Sequence, residues 1–332
     1  MGSSRPLCIC AHLLCELQRS EGAARAARFS RPSRRRNVMR IGWLGLGNMG
    51  LPMAGRLVDA GHEVLGYDVT APARRAAASR GITVADSVAD AVTGADAVFT
   101  MLPNGAVVRE VLVEHSALVR APARAVFIDC STIDIADAHD LHTAAVSAGR
   151  RFLDAPVSGG VGGAAGGSLT FMVGGDAEVL ATVRSLVQAM AGRIVHVGGP
   201  GAGQAAKIVN NMMLGINLAG LCEGAVLAER LGLDAATFQS LAAASSGDSW
   251  ALRTWYPAPG VVQSAAVNRD FDGGFAADLL AKDLRLALQA GERTGTPLPH
   301  ATAVAEAMHD LHERGHGGKD CTVLVRSVAG SW

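Results

Sequence analysis

The hexapeptide GLGNMG at residues 45–50 limits the possible fold more than any other stretch of the chain. It follows a short apolar run, MRIGWLG (39–45), and opens NMGLPMAGRLVDAG, a segment with helical spacing. Pro52 is tolerable in a first helical turn, and Gly61 is placed to end the helix. A strand, a glycine turn and a helix in that order build a dinucleotide-binding unit. The first glycine admits the tight turn, the second lets backbone approach a pyrophosphate, and the third lets strand and helix pack closely. The free amides and dipole of the helix start then face the phosphates. A second apolar run, HEVLGYD (62–68), ends in Asp68, where a carboxylate would meet the ribose hydroxyls. Gly45, Leu46, Gly47, Asn48, Met49, Gly50 and Asp68 are therefore the expected cofactor-binding set. The expected cofactor is NAD: YDVTAPARR has no cation before Arg74 and Arg75 to balance a 2′-phosphate, which Asp68 would repel.

The pattern repeats downstream. ADAVFTML (95–102), ARAVFID (123–129), RRFLDAPV (150–157), LTFMVGG (169–175) and GRIVHVGG (192–199) read as further strands with helical segments between them. Such alternation predicts a parallel, doubly wound sheet. After Gly203 the strand signals stop. The stretch from Gly201 onward predicts one helix of about 28 residues, followed by helical segments at 234–245 and 275–295. The expected architecture is an N-terminal Rossmann-type α/β domain at 39–201 and an all-α C-terminal domain at 202–332, joined by the long helix.

Composition narrows the function classes. Net charge is zero and aromatic content 4%, which gives neither an electrostatic pull on nucleic acid nor a stacking platform for bases. No window of 18 uninterrupted apolar residues occurs, because Asn210, Asn211 and Asn217 break the best candidate, so no membrane association is expected. The six cysteines (Cys8, Cys10, Cys15, Cys130, Cys222, Cys321) lack CxxC spacing, and the histidines lack a ligand pattern. Reduced thiols and no metal site are the expectation. Residues 1–38 carry eight arginines and two acids, ending in RRR at 34–36. They read as an extension ahead of a second start at Met39 in a cytoplasmic bacterial protein, with an organelle-import leader, and so the mitochondrial matrix, as the alternative.

Only three lysines stand against 27 arginines, and Lys207 lies in an otherwise apolar helix as KIVNN. Asn210 and Asn211, three and four residues on, share its face, which extends to Asn217. A polar stripe lining a cleft fits better than a snorkelling surface lysine, though a helix–helix contact through amides is a further reading. Lys282 and Asp283 interrupt another apolar helix, and their plainest reading is a surface ion pair. In APVSGGVGGAAGGSLT (155–170), Ser158, Gly159 and Gly160 combine small side chains with exposed amides suited to a carboxylate, a flexible surface loop being the alternative.

These motifs together resemble the β-hydroxyacid dehydrogenases over residues 39–328. GLGNMG, TMLPN (100–104), CSTID (130–134), DAPVSGGVGGAAGGSLTFMVGG (154–175), GAGQAAKIVNN (201–211) and FDGGFAADLLAKDL (271–284) are similar to the family's successive motifs. YPAPGV (256–261) is similar to the segment before the GGF motif in members acting on 3-hydroxyisobutyrate. The resemblance implies Lys207 as catalytic acid/base with Asn211 as its amide partner, and Ser158, Gly159 and Gly160, with Asn211, as the substrate-binding set. It places Leu102, Pro103, Thr132 and Lys282 near the nicotinamide half of the cofactor. One departure is Val107, where relatives commonly carry asparagine. The implied reaction is NAD-dependent oxidation of 3-hydroxyisobutyrate to methylmalonate semialdehyde in valine degradation, by a homodimer or homotetramer. Alternatives are a related short-chain enzyme, such as a tartronate semialdehyde reductase, and a catalytically silent NAD-binding sensor.

Overall fold

The computed structural model describes residues 38–331. The readings of residues 1–37, with Cys8, Cys10 and Cys15, lie outside the described residues. Among the described residues nine strands form one sheet: β1 (Arg40–Leu44), β2 (Glu63–Tyr67), β3 (Thr83–Val84), β4 (Ala97–Thr100), β5 (Val126–Asp129), β6 (Arg151–Asp154), β7 (Val157–Ser158), β8 (Leu169–Gly175) and β9 (Ala191–Gly198). Their order is β3-β2-β1-β4-β5-β6-β8-β7, with β9 also pairing β8. Seven of these strands were legible in the apolar runs. β3 and β7, two residues each, are too short to leave a period.

β1 to β6 pair in parallel. β8 runs antiparallel to β6 and β7, which departs from the all-parallel expectation. The connection from Ser158 to Leu169 is the reason. Too short for the usual crossover between parallel neighbours, it turns the chain straight back. β6 and β7 share one register on β8 (Asp154 opposite Gly174, Val157 opposite Phe171) and are separate strands only because Ala155–Pro156 interrupts the ladder. Pro156 has no amide hydrogen to donate.

The intervening helices are α1 (Gly50–Asp59), α2 (Ala71–Ser79), α3 (Val88–Val92), α4 (Gly105–Arg109), α5 (Ala117–Arg120), α6 (Ile135–Ser147), α7 (Gly160–Gly166) and α8 (Ala177–Gln188). They cover both faces of the sheet. Ile41, Trp43, Phe99, Ile128 and Leu153 point into one apolar core, while Leu44, Val98, Phe127 and Phe152 point into the other. The alternation along each strand is the two-residue period of a pleated sheet buried on both sides.

No strand follows Gly198 among the described residues. α9 (Ala202–Arg230) runs unbroken for 29 residues, then come α10 (Ala235–Ala243), α11 (Trp250–Trp255), α12 (Ala277–Thr294), α13 (Pro299–Glu313) and α14 (Leu324–Ala329). Leu218 and Cys222 of α9 pack with Leu280 and Leu284 of α12 and Met308 of α13 in a helical core. The long helix thus begins at the sheet and ends inside the helical part.

Candidate active site

The glycine turn is shaped for a dinucleotide. Gly45 has φ +98°, and a Cβ there would lie 2.3 Å from the Met101 carbonyl oxygen. A Cβ at Gly50 would lie 2.0 Å from the Gly45 carbonyl, so strand and helix meet there without room for a side chain. A Cβ at Gly47 meets nothing within 4 Å, which leaves the backbone open to a ligand. α1 has no side-chain cap and no acid in its first turn, so its start is free for an anion. Asn48 is exposed and Met49 half-buried beside this opening, whereas the Leu46 side chain belongs to the core.

Asp68 sits at the end of β2. Its Oδ2 accepts from the Leu46 amide at 2.8 Å, and its Oδ1 accepts from the amide and hydroxyl of Thr70, each at 2.8 Å. The Leu46 amide is therefore spent on Asp68 and not on phosphate. Arg74, remote in sequence spacing, returns from α2 to donate to the Asp68 carbonyl at 2.5 Å. The residues present fit a dinucleotide whose ribose meets a carboxylate.

Lys207, in the second turn of α9, is buried, with only 8% of its surface exposed. Among the described residues no hydrogen bond or ion pair reaches its ammonium. Burial lowers its pKa to about 8, with Asp283 pulling upward and Lys282 downward. Asn211, one turn on, is also buried, and its Nδ2 donates to Asp283 Oδ2 at 2.5 Å. Gly215, a further turn on, explains how the helices come this close. The Cβ it lacks would lie 3.1 Å from the Leu284 side chain.

The plain reading of Lys282 and Asp283 as a surface pair does not survive. Asp283 is 2% exposed. The Lys282 ammonium donates to the carbonyls of Thr132 at 2.6 Å and Pro103 at 3.2 Å. It also lies 3.2 Å from Asp283 Oδ1, an ion pair off the hydrogen-bonding direction, since that oxygen has no hydrogen-bond partner. The Leu102 amide donates to the Ser131 hydroxyl at 2.9 Å. Lys282 thus ties α12 to the loops after β4 and β5, the loops carrying Leu102, Pro103 and Thr132. Arg293, further along α12, pairs with both oxygens of Asp134, the N-cap of α6.

The stripe along α9 divides. Asn210 is half-buried and donates to Asn211 Oδ1 at 3.0 Å, but it faces an open groove between α9, β8 and β9 that Lys207 does not line. Asn217 is exposed. Only Asn211 stays with the lysine, because its side of α9 meets Asp283 on α12 while the Asn210 side faces the β8–β9 groove.

Ser158 ends β7, followed by Gly159 (φ +135°) and Gly160 (φ +65°), both exposed. The glycine-rich stretch is not loop throughout, since Gly160–Gly166 forms α7. No hydrogen bond joins Ser158, Gly159 or Gly160 to Lys207 or Asn211 among the described residues. Tyr256, in the YPAPGV segment, is buried in a small apolar cluster with Leu221 and Leu252, a packing role. Asn104 caps α4 by accepting from the half-buried Val107 amide at 3.0 Å. Cys130, Cys222 and Cys321 are buried free thiols.

Comparison with known proteins identifies the family. Residues 40–198 match the NAD binding domain of 6-phosphogluconate dehydrogenase, and residues 201–328 match the NAD-binding domain of NADP-dependent 3-hydroxyisobutyrate dehydrogenase. A probable 3-hydroxyisobutyrate dehydrogenase of Mycobacterium tuberculosis is 47% identical, over 87% of this chain and 97% of that one. The chain belongs to the 3-hydroxyisobutyrate dehydrogenase family, within the β-hydroxyacid dehydrogenases. An NAD-dependent L-serine dehydrogenase of Pseudomonas aeruginosa is 40% identical over the same shares, 87% and 97%. A solved structure of the Mycobacterium tuberculosis 3-hydroxyisobutyrate dehydrogenase with L-serine superposes with a TM-score of 0.80 at 43% identity, covering 88% of this chain and 99% of that one. This family member is accordingly an NAD-dependent hydroxyacid dehydrogenase with a Rossmann-type sheet and a helical C-terminal part.

Asp283 is the residue that the sequence analysis places at the surface and the structure buries in the site. The signal was present, because Ala277, Leu280, Asp283, Leu284 and Ala287 follow helical spacing and put the carboxylate on the apolar face of α12.

Proposed function

We propose that the protein oxidises 3-hydroxyisobutyrate to methylmalonate semialdehyde, with Lys207 as the acid/base. The observation that carries this reading is a buried lysine of lowered pKa, one helical turn from an asparagine held by a buried carboxylate. NAD supplies the hydride acceptor when bound. The chain's own residues manage the proton and the orientation. Neutral Lys207 Nζ accepts the hydroxyl proton of the alcohol and returns it in the reductive direction. Asn211 holds the substrate oxygen, its rotamer fixed by Asp283. The backbone amides at Ser158, Gly159 and Gly160 receive the substrate carboxylate. Lys282 holds α12 against the loops of Pro103 and Thr132, which keeps water from the reacting centre.

Relatives named 3-hydroxyisobutyrate dehydrogenase support this substrate, and rate constants test it. A branched C4 acid is expected to exceed unbranched 3-hydroxypropionate in kcat/KM, since one methyl group in an apolar pocket is worth about 1–3 kcal/mol. L-serine is the second reading, favoured by the L-serine dehydrogenase relative. Higher kcat/KM on L-serine than on 3-hydroxyisobutyrate would transfer the assignment, and best turnover of a tartronate-type acid would move it to that reaction.

Cofactor choice is expected to rest on Asp68. The wild type should prefer NAD over NADP by at least about tenfold, roughly 1.4 kcal/mol. Asp68→Ala should narrow the ratio mainly by weakening NAD, because the ribose hydroxyls lose their carboxylate partner. Equal kcat/KM for the two cofactors in the wild type would contradict the assignment.

The working form is a homodimer or homotetramer. α9 carries Val209, Met213 and Leu227, and Leu231 follows as its C-cap, each more than half exposed. The groove lined by Val209, Met213, Met172 and Val195 continues that apolar face onto the sheet. Light scattering behind size exclusion should give two or four times the chain mass, and a monomer at assay concentration would refute this.

A further inference from the structure

One buried acid takes no part in the chemistry above. Asp154 ends β6, is 2% exposed, and points at the start of α9. Its Oδ1 accepts from the Gly201 amide at 2.9 Å and its Oδ2 from the Gln204 amide at 3.0 Å. No side chain of α9's own N-cap residue, Gly201, does this work. Two glycines make room for the carboxylate. A Cβ at Gly174, across the β6–β8 ladder, would lie 2.5 Å from Asp154 Oδ1. One at Gly203 would lie 2.8 Å from Oδ2 and 2.5 Å from both the Asp154 and Met172 carbonyl oxygens. Burial pushes the Asp154 carboxyl up, and the backbone amides pull it back down.

The same helical turn is fixed from a second side. Gln204, fully buried, accepts from the Ile133 amide at 3.1 Å and donates to the Ser131 carbonyl at 2.8 Å. Those bonds bracket Thr132, whose carbonyl receives Lys282. Lys207 lies three residues past Gln204, about 4.5 Å further along the axis. The first turn of α9 is therefore locked to the ends of β5 and β6, and the lysine's place relative to Asp283 on α12 depends on that lock.

We infer that Asp154 is a positioning residue for catalysis, which sets the axial place of α9 and through it the place of Lys207. The inference rests on Lys207 being the acid/base. An asparagine at 154 keeps one acceptor oxygen and turns an NH2 toward a second backbone donor. The helix start must then shift or lose a bond. A displacement near 1 Å at a reacting group costs roughly a hundredfold in rate. Displacement also admits water to Lys207, while Asp283 and Lys282, the charged groups facing it from α12, are unchanged.

The test is steady-state oxidation kinetics across pH on the full chain with saturating NAD, for Asp154→Asn, Gly174→Ala and Lys207→Ala, with folded sites counted by NAD titration. Asp154→Asn and Gly174→Ala should lower kcat per NAD-binding site by roughly ten- to a hundredfold. Both should move the rising limb of the pH profile above its wild-type place near 8, with NAD affinity little changed. Wild-type kcat per site and an unmoved limb in both variants would overturn the proposal, as would a loss that tracks only the number of folded sites. Lys207→Ala separates the two ideas. If it keeps a limb near 8, the lysine reading fails and this proposal with it. If it loses the limb while Asp154→Asn matches wild type, only the positioning role fails.

Discussion

Lys207→Ala is expected to reduce kcat for alcohol oxidation by roughly 10²–10⁴, the usual span for losing a placed proton acceptor. Nucleotide affinity should barely change, because the glycine turn joins β1 to α1 and Asp68 follows β2, none of them part of α9. Lys207→Arg is the sharper variant. It keeps a positive charge and a good helix former, but a guanidinium stays protonated and cannot take the substrate proton. A comparable loss is therefore expected from Arg. The measurement is steady-state kinetics with NAD titration on both proteins. Near-wild-type kcat in the Arg variant would reduce Lys207 to an electrostatic anchor.

Asp283 carries the second large effect. Asp283→Ala strands Asn211 Nδ2 in a buried position and removes the counter-charge of Lys282. A hydrogen bond to a charged group is worth about 1.5–3 kcal/mol, so kcat/KM should fall by roughly ten- to a hundredfold. Asp283→Asn separates charge from geometry. The carboxylate stabilises the protonated form of Lys207 and so raises its pKa, against the burial that lowers it. Removing that charge lets burial and Lys282 prevail, so the pKa falls further. The neutral amine is then available at lower pH, and the rising limb of the oxidation profile should move below its wild-type place near 8. A limb that moves upward in Asp283→Asn would contradict the electrostatic account of the site.

Much of this is legible in the sequence alone. Gly45 and Gly50 announce their turn because only glycine permits the contacts found there, and Gly47 because it leaves the backbone uncovered. The long helix was legible because Ala202–Arg230 has neither proline nor a cluster of turn residues to stop it. The union of Lys207 with Asn211 followed from helical spacing alone. That spacing could not say which side of α9 meets α12, so Asn210 and Asn217 were grouped with them, though one faces the β8–β9 groove and the other solvent. Asp283 and Asp154 were hidden for a related reason. A charged residue beside a lysine, or at the end of a strand, reads as exposed until long-range packing buries it. The antiparallel turn into β8 likewise depended on how short the path from Ser158 to Leu169 is in space, a fact that strand periodicity does not carry.

The central claim is that a neutral, buried Lys207 takes the alcohol proton. The most direct measurement is the pH dependence of kcat/KM for 3-hydroxyisobutyrate oxidation at fixed saturating NAD, in wild type and Lys207→Arg together. Wild-type activity should rise through a single ionisation near 8, well below free lysine, and that rise should vanish in the Arg variant. A wild-type profile flat through that region, or an Arg variant that keeps both the rise and the rate, would contradict it.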